Sequence, residues 1–160
     1  VEEKMINFKT EKGIFNFRVA GILFHDDKVL IHRRINDDFY ALPGGRVEIL
    51  EDTETTIIRE MEEELGIQVE IERLLWVCQS FFGNDDSKYH EICFYYLINC
   101  EDKELITKED VFLVSEHDKT FEFKWVPIDE IEKEPFYPTF VKNRLGNLPT
   151  TIESIVDFEE

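Results

Sequence analysis

Three cysteines, Cys78, Cys93 and Cys100, are all this 160-residue chain has, and no two form a CxxC pair. An odd, scattered set of thiols excludes a disulfide scaffold and a cysteine-ligated metal knuckle, and fits buried thiols in strands within a reducing compartment. Basic residues are also scarce: 18 Lys and Arg face 36 Asp and Glu, for a formal charge of -18. Duplex nucleic acid and anionic membranes need a basic footprint, so both are excluded as partners. A small phosphorylated ligand stays open if metal ions reverse the sign of the field locally. No apolar run approaches the roughly 20 residues that span a bilayer, and no basic leader precedes an apolar stretch. A cytoplasmic protein is expected.

Core-forming residues are plentiful. Apolar residues make up 42% of the chain, including 14 Phe, which excludes a disordered polyanion. A chain of this length buries roughly 70% of its unfolded surface, so one globular domain over residues 1–160 is expected. Apolar runs on either side of Thr10–Gly13 predict one hairpin, and His25–Lys28 predicts the turn of a second. Ala41-Leu42-Pro43-Gly44-Gly45 reads as a loop whose glycines supply backbone conformations closed to other residues. Asp52 is the predicted N-cap of a helix running to Leu65, with Ile57, Ile58, Met61 and Leu65 on its apolar arc and Gly66 as its stop. A long hairpin follows over Ile67–Phe82 and Ile92–Asn99, turning at Gly83–Ser87. Beyond a polar connector, Cys100–Asp110, a strand is predicted at Phe121–Val126, then short helices near Ile128–Glu132 and Pro135–Leu145. The pattern is a mixed sheet with few helices, hence α/β or α+β.

The chemistry concentrates in Gly45–Glu51 and Arg59–Ile67. On a helix, Glu60, Glu63 and Glu64 stand at i, i+3 and i+4 and share one face beside the apolar stripe, while Glu62 points elsewhere. Two such charges about 5 Å apart repel by roughly 3 kcal/mol at an effective dielectric near 20, so three together call for a cation. Carboxylate oxygens suit magnesium, with manganese as an alternative, and either ion can bridge to phosphate. Clustered glutamates are ordinarily a solvated face. Here seven identities and two apolar sites fall at set spacings, a coincidence on the order of one in a million from composition.

The segment resembles the Nudix box, GX5EX7REUXEEXGU, at every defined position. Leu30–Arg34 and Leu42–Gly45 before it, and Trp125–Ile131 after it, are similar to the family's flanking strands and loop. Leu50 departs, since many members carry Gly there. The resemblance implies a mixed β-sheet sandwiched between helices and water attack on the diphosphate of a nucleoside diphosphate linked to another group X. It implies magnesium or manganese held by Glu60, Glu63, Glu64 and the Gly45 carbonyl, with Arg59 pairing with Glu51 to hold loop against helix. Glu63 or Glu60 is a candidate base, as are Glu91 and Glu116, expected in loops outside the box. Arg33 or Arg34 is a candidate phosphate ligand, from the basic residue the family often has there.

His90 and His117 are read as surface residues of those loops, and His25 and His32 as turn and strand residues. Tyr40, Phe81, Phe82 and Phe136 are aromatics near strands, mostly core, and no stacking residue is assigned among them. Two other classes stay open: a nucleotide sensor with this fold but no turnover, and an isomerase of allylic diphosphates. An intact carboxylate set argues against the first. The second needs a well-placed cysteine, and none of the three lies near the box. The partner expected is a small nucleotide-like diphosphate, and a homodimer is left open.

Overall fold

In the computed structural model, residues 4–159 are described. The domain expected over 1–160 thus has its first three residues and its last outside the described residues. The elements run β1 (Asn7–Lys9), β2 (Ile14–His25), β3 (Lys28–Arg34), β4 (Gly44–Arg46), α1 (Thr53–Leu65), β5 (Glu70–Gly83), β6 (Lys88–Asn99), β7 (Val111–Glu116), β8 (Lys119–Pro127), a 3-10 turn (Ile128–Lys133), α2 (Thr139–Lys142) and β9 (Glu153–Phe158).

The strands form one mixed sheet in the order β7-β8-β3-β2-β6-β5-β9, with β1 and β4 also paired to β2. The β2–β6 and β5–β9 pairs are parallel and the rest antiparallel. Alternation along β2 sends Val19 and Leu23 to one face and Ala20 and Ile22 to the other. On the first face they meet Ile57 and Met61 of α1 with Phe123 and Trp125 of β8. On the second they join Trp76, Tyr95, Ile131, Phe140 and Val141. Helices therefore cover both faces. Each fully buried large side chain, such as Phe123 or Trp76, contributes roughly 1.5–3 kcal/mol. All three cysteines are buried and free. No helix among the described residues is long and apolar enough to cross a membrane.

α1 starts where Asp52 accepts the Thr55 N–H at 2.7 Å and stops at Gly66, whose φ of 68° suits glycine. Elsewhere the structure corrects the reading. Gly44–Arg46 is a strand rather than part of a loop, and neither glycine has a positive φ. Space is the reason: a Cβ on Gly44 would lie 2.0 Å from the Val19 carbonyl oxygen. His90 and Glu91 sit inside β6, which begins at Lys88, so they are strand residues. The last predicted helix shrinks to Thr139–Lys142, and β7 and β9 are additional strands.

Leu50, where the family pattern has Gly, takes a left-handed φ of 68° and is fully exposed at 101%. The loop has kept the glycine conformation without the glycine. A left-handed residue with a Cβ costs roughly 1–2 kcal/mol, part of which glycine gives back as extra freedom of the unfolded chain. Leu50→Gly is therefore expected to stabilise the protein by about 0.5–1 kcal/mol, read as a raised midpoint in urea at unchanged slope. A lowered midpoint would show that the leucine side chain makes a contact worth more than the strain.

Candidate active site

α1 presents its working groups along the edge that meets β4. Glu60 is buried, at 8% exposure, and its carboxyl lies directly against Gly45. A Cβ on Gly45 would stand 2.2–2.5 Å from the Glu60 carboxyl atoms, so only glycine lets helix and strand approach this closely. Burial raises the Glu60 pKa, opposed by Arg59 and reinforced by Glu63. Glu64 stands one helical turn further along this edge, four residues after Glu60. Its Oε2 is buried with no hydrogen-bond partner among the described residues. Burial, with the neighbouring charge of Glu60, lifts its pKa to about 8. A buried, unpartnered carboxylate oxygen costs stability unless something joins it.

Arg59 ties the region together. Its Nε and Nη2 donate to the two oxygens of Glu51 at 2.8 and 2.9 Å, a bidentate pair. Nη1 donates to Glu60 at 2.9 Å and Glu63 at 3.2 Å, and Nη2 also reaches the Arg46 carbonyl at 3.2 Å. Glu51 further accepts from the Glu48 N–H at 3.1 Å and the Thr56 hydroxyl at 2.8 Å. These bonds, Arg59's foremost, hold the Glu51 pKa down to about 2. Glu62 points away, as expected, and accepts from Gln68.

Glu60, Glu63 and Glu64 thus share one edge, with Glu63 turned to the guanidinium. Among the described residues no three His, Cys, Asp or Glu groups converge as a preformed metal cluster. The donor set still suits a hard divalent cation. Glu60 and Glu64 supply buried carboxylate oxygens, one of them unpartnered, and Gly45 brings backbone close beside Glu60.

The remaining candidates are dispersed. Arg33 donates to Glu122 at 3.0 Å and to the Asp37 carbonyl at 2.9 Å, and Tyr40 donates its hydroxyl to the same Glu122. Arg34 is exposed. Glu91 is half-buried, and burial raises its pKa against the pull of Arg18 and Arg46. Glu116 ends β7, close enough to Glu64 to affect its charge. His117 occupies the next turn at a φ of 54° with its side chain exposed, while His90 lies between Phe15 and Phe81. His32 is buried between Phe121 and Phe123, and burial lowers its pKa to about 3. His25 is the last residue of β2, against Trp125. Tyr40 and Phe136 belong to the core.

A cleft of about 540 Å³ opens on the sheet face opposite α1, lined by Arg18, Phe39, Phe82, Glu91 and Tyr137 among others. A larger hollow of about 730 Å³ lies at the hairpin tips around Phe8, Phe15 and Phe81, away from the helix carboxylates. Arg18 lines the cleft, and its charge lowers the pKa of Glu60 and Glu64 against the effect of their burial. Sequence reasoning missed Arg18, Arg46, Phe39 and Tyr137. Phe39 and Tyr137 meet edge to face at 5.2 Å with 45% and 42% of their surfaces exposed. Their polar, proline-containing surroundings concealed them, and no local spacing marks Arg18.

A mixed sheet between helices, with a glutamate-rich helix packed on a strand of glycines, is the architecture that the sequence resemblance implied. The chain belongs to the NUDIX domain family, whose sequence profile matches residues 15–143. It is 35% identical over 95 residues to an ADP-ribose pyrophosphatase of Methanocaldococcus jannaschii, covering 58% of this chain and 55% of that protein. It is 38% identical over 69 residues to a MutT-like protein of Streptomyces ambofaciens, covering 42% and 45%. The chain thus spans about half the length of these curated relatives. Its fold is similar to that of the crystal structure of an ADP-ribose pyrophosphatase from Streptococcus suis, with a TM-score of 0.57 at 16% identity, covering 89% of this chain and 98% of that one.

Proposed function

We propose that this protein hydrolyses the diphosphate of a nucleoside diphosphate joined to a second group, with ADP-ribose as the leading substrate. The observation that carries the reading is the pair Glu60, buried and cradled by Gly45, and Glu64, half-buried with one buried, unpartnered oxygen, both within the field of Arg18, which lines an aromatic-walled cleft. The choice of ADP-ribose rests on the named relative from Methanocaldococcus jannaschii.

Glu60, Glu64 and the Gly45 carbonyl would hold magnesium or manganese, with Glu63 available once released from Arg59. A divalent cation held there would offset charge on the phosphate oxygens and make water a better nucleophile. The protein's own groups do the rest. Arg59 holds Glu51 and the β4 backbone so that Glu60 keeps its place. The cleft shields the reacting centre and seats the aromatic part of the substrate against Phe39, Tyr137 or Phe82. A carboxylate takes the proton from water: Glu63 or Glu60 on the helix, or Glu91 or Glu116 from the strands. The oxygen of water joins one phosphorus, and the bridging oxygen leaves with the other.

The test is a substrate panel with magnesium, spanning nucleoside triphosphates, ADP-ribose, other nucleotide sugars, dinucleoside polyphosphates and dinucleotide cofactors. ADP-ribose is expected to give AMP and ribose 5-phosphate, and the base is identified by which Gln substitution removes the acidic limb of the pH–rate profile. Tight binding with no turnover of any panel member would establish a sensor instead.

A further inference from the structure

Arg18 and Arg46 stand directly opposite each other in the antiparallel β2–β4 pairing, so both side chains leave the sheet on one face. Like charges in that relation destabilise a sheet. The other arginines with assigned partners, Arg33, Arg59, Arg73 and Arg144, donate to carboxylates or backbone carbonyls. These two do not. Arg46 Nε is buried with no hydrogen-bond partner among the described residues. Arg18 has one ion pair among those residues, with Glu91, and at 3.7 Å it is longer than a hydrogen bond. Glu91 lies within the field of both guanidinium groups. Arg18 lines the cleft, and its charge is felt at Glu60 and Glu64.

We infer that Arg18 and Arg46 form an anion seat for a phosphate group of the substrate, and that Glu91 holds the seat as a built-in competitor until that phosphate displaces it. This inference rests on the diphosphate-hydrolase reading and names residues that bind the substrate from the cleft side. Two guanidinium forks with free donors match the oxygens of a phosphate in geometry and charge. Glu91, only half-buried and too distant for a strong bond, fills the same position with one negative charge where the phosphate brings more.

Inorganic pyrophosphate, titrated calorimetrically in EDTA at matched ionic strength, tests the seat without any metal. Wild-type protein is expected to bind it. Arg46→Gln is expected to weaken binding by about ten-fold or more, the usual effect of losing a charge-assisted bond. Arg18→Gln strands the Glu91 charge and risks misfolding, so it is made together with Glu91→Gln and compared with Glu91→Gln alone, against which it should weaken binding similarly. Glu91→Gln by itself is expected to tighten binding, a sign opposite to that of any structural lesion. No binding by wild type, unchanged binding in the arginine variants, or weaker binding in a folded Glu91→Gln protein would each overturn the inference. ADP-ribose kinetics run in parallel separate the two readings. Wild-type turnover with an unchanged KM in Arg46→Gln overturns the seat and leaves the hydrolase standing. Arginine-dependent pyrophosphate binding without turnover of any panel substrate keeps the seat and removes the hydrolase.

Discussion

Glu64→Gln is expected to lower turnover of the best substrate by at least about 100-fold while making the metal-free protein more stable at neutral and alkaline pH. The loss follows from removing a carboxylate whose charge the chemistry uses, by metal ligation or proton transfer. The gain follows from the apo protein's electrostatics. Glu64 has a pKa of about 8 because it is buried and faces Glu60, with Glu116 and Glu63 adding to the repulsion. A carboxyl raised above its unfolded value near 4.5 favours folding in its protonated form. Its stabilising contribution is therefore whole below the unfolded value and is lost as pH rises toward about 8. Gln keeps the shape and carries no charge. The melting temperatures of wild type and variant should converge in acid and diverge, with the variant higher, as pH climbs through neutrality. A variant that melts lower at every pH would mean that the Glu64 carboxylate has a stabilising partner.

Arg59→Lys keeps the charge and loses the planar fork, and is expected to cut activity by about 10- to 100-fold, as when a group that orients ligands is removed. Lysine cannot donate in parallel to both oxygens of Glu51 while also reaching Glu60 and the Arg46 carbonyl, as Arg59 does. Stability carries the same signature with the opposite pH sense to Glu64. Glu51 is held at about 2, so its contribution is complete above its unfolded value and disappears as pH falls through the folded one. The wild-type protein should lose stability steeply in acid. The Lys variant should start lower at neutral pH and fall less, because its Glu51 is returned toward an ordinary value. Calorimetric metal titration should give the same stoichiometry in both proteins. Unchanged kinetics in a folded Arg59→Lys protein would make the pairing incidental.

What could be read from the amino-acid order was whatever local chemistry encodes. The α1 limits follow from Asp52 and Gly66, a cap and a stop that act on their own neighbours. The hairpins around Thr10–Gly13, His25–Lys28 and Gly83–Ser87 follow from turn residues between apolar runs. Edge strands were harder. β9 pairs in parallel with β5, 77 positions earlier, for example Cys78 with Ile155. It also alternates exposed and half-buried residues among carboxylates, so neither hydropathy nor a nearby turn announces it. β7 contacts the sheet only through β8 and leaves Val111 and Leu113 exposed.

The site divides the same way. Glu51, Arg59, Glu60, Glu63 and Glu64 stood out because they lie within one short segment whose spacing has a helical meaning. Arg18, Arg46 and Glu91 come together only through the β2–β4 and β2–β6 pairings, so their adjacency is a property of the sheet. Gly44 and Gly45 were singled out for backbone freedom, whereas their necessity is a missing Cβ between packed elements.

The central claim, that the α1 carboxylates are the metal site, is tested most directly by thermal melts of wild type and Glu64→Gln with and without magnesium, at ionic strength matched by a monovalent salt. Matching removes general screening of the -18 charge. An ion that binds the folded cluster and hardly binds the unfolded chain raises the melting temperature by mass action. Wild type is expected to gain markedly from magnesium, and Glu64→Gln, already more stable without it, to gain much less. Equal gains in the two proteins would contradict the assignment and place any magnesium site elsewhere.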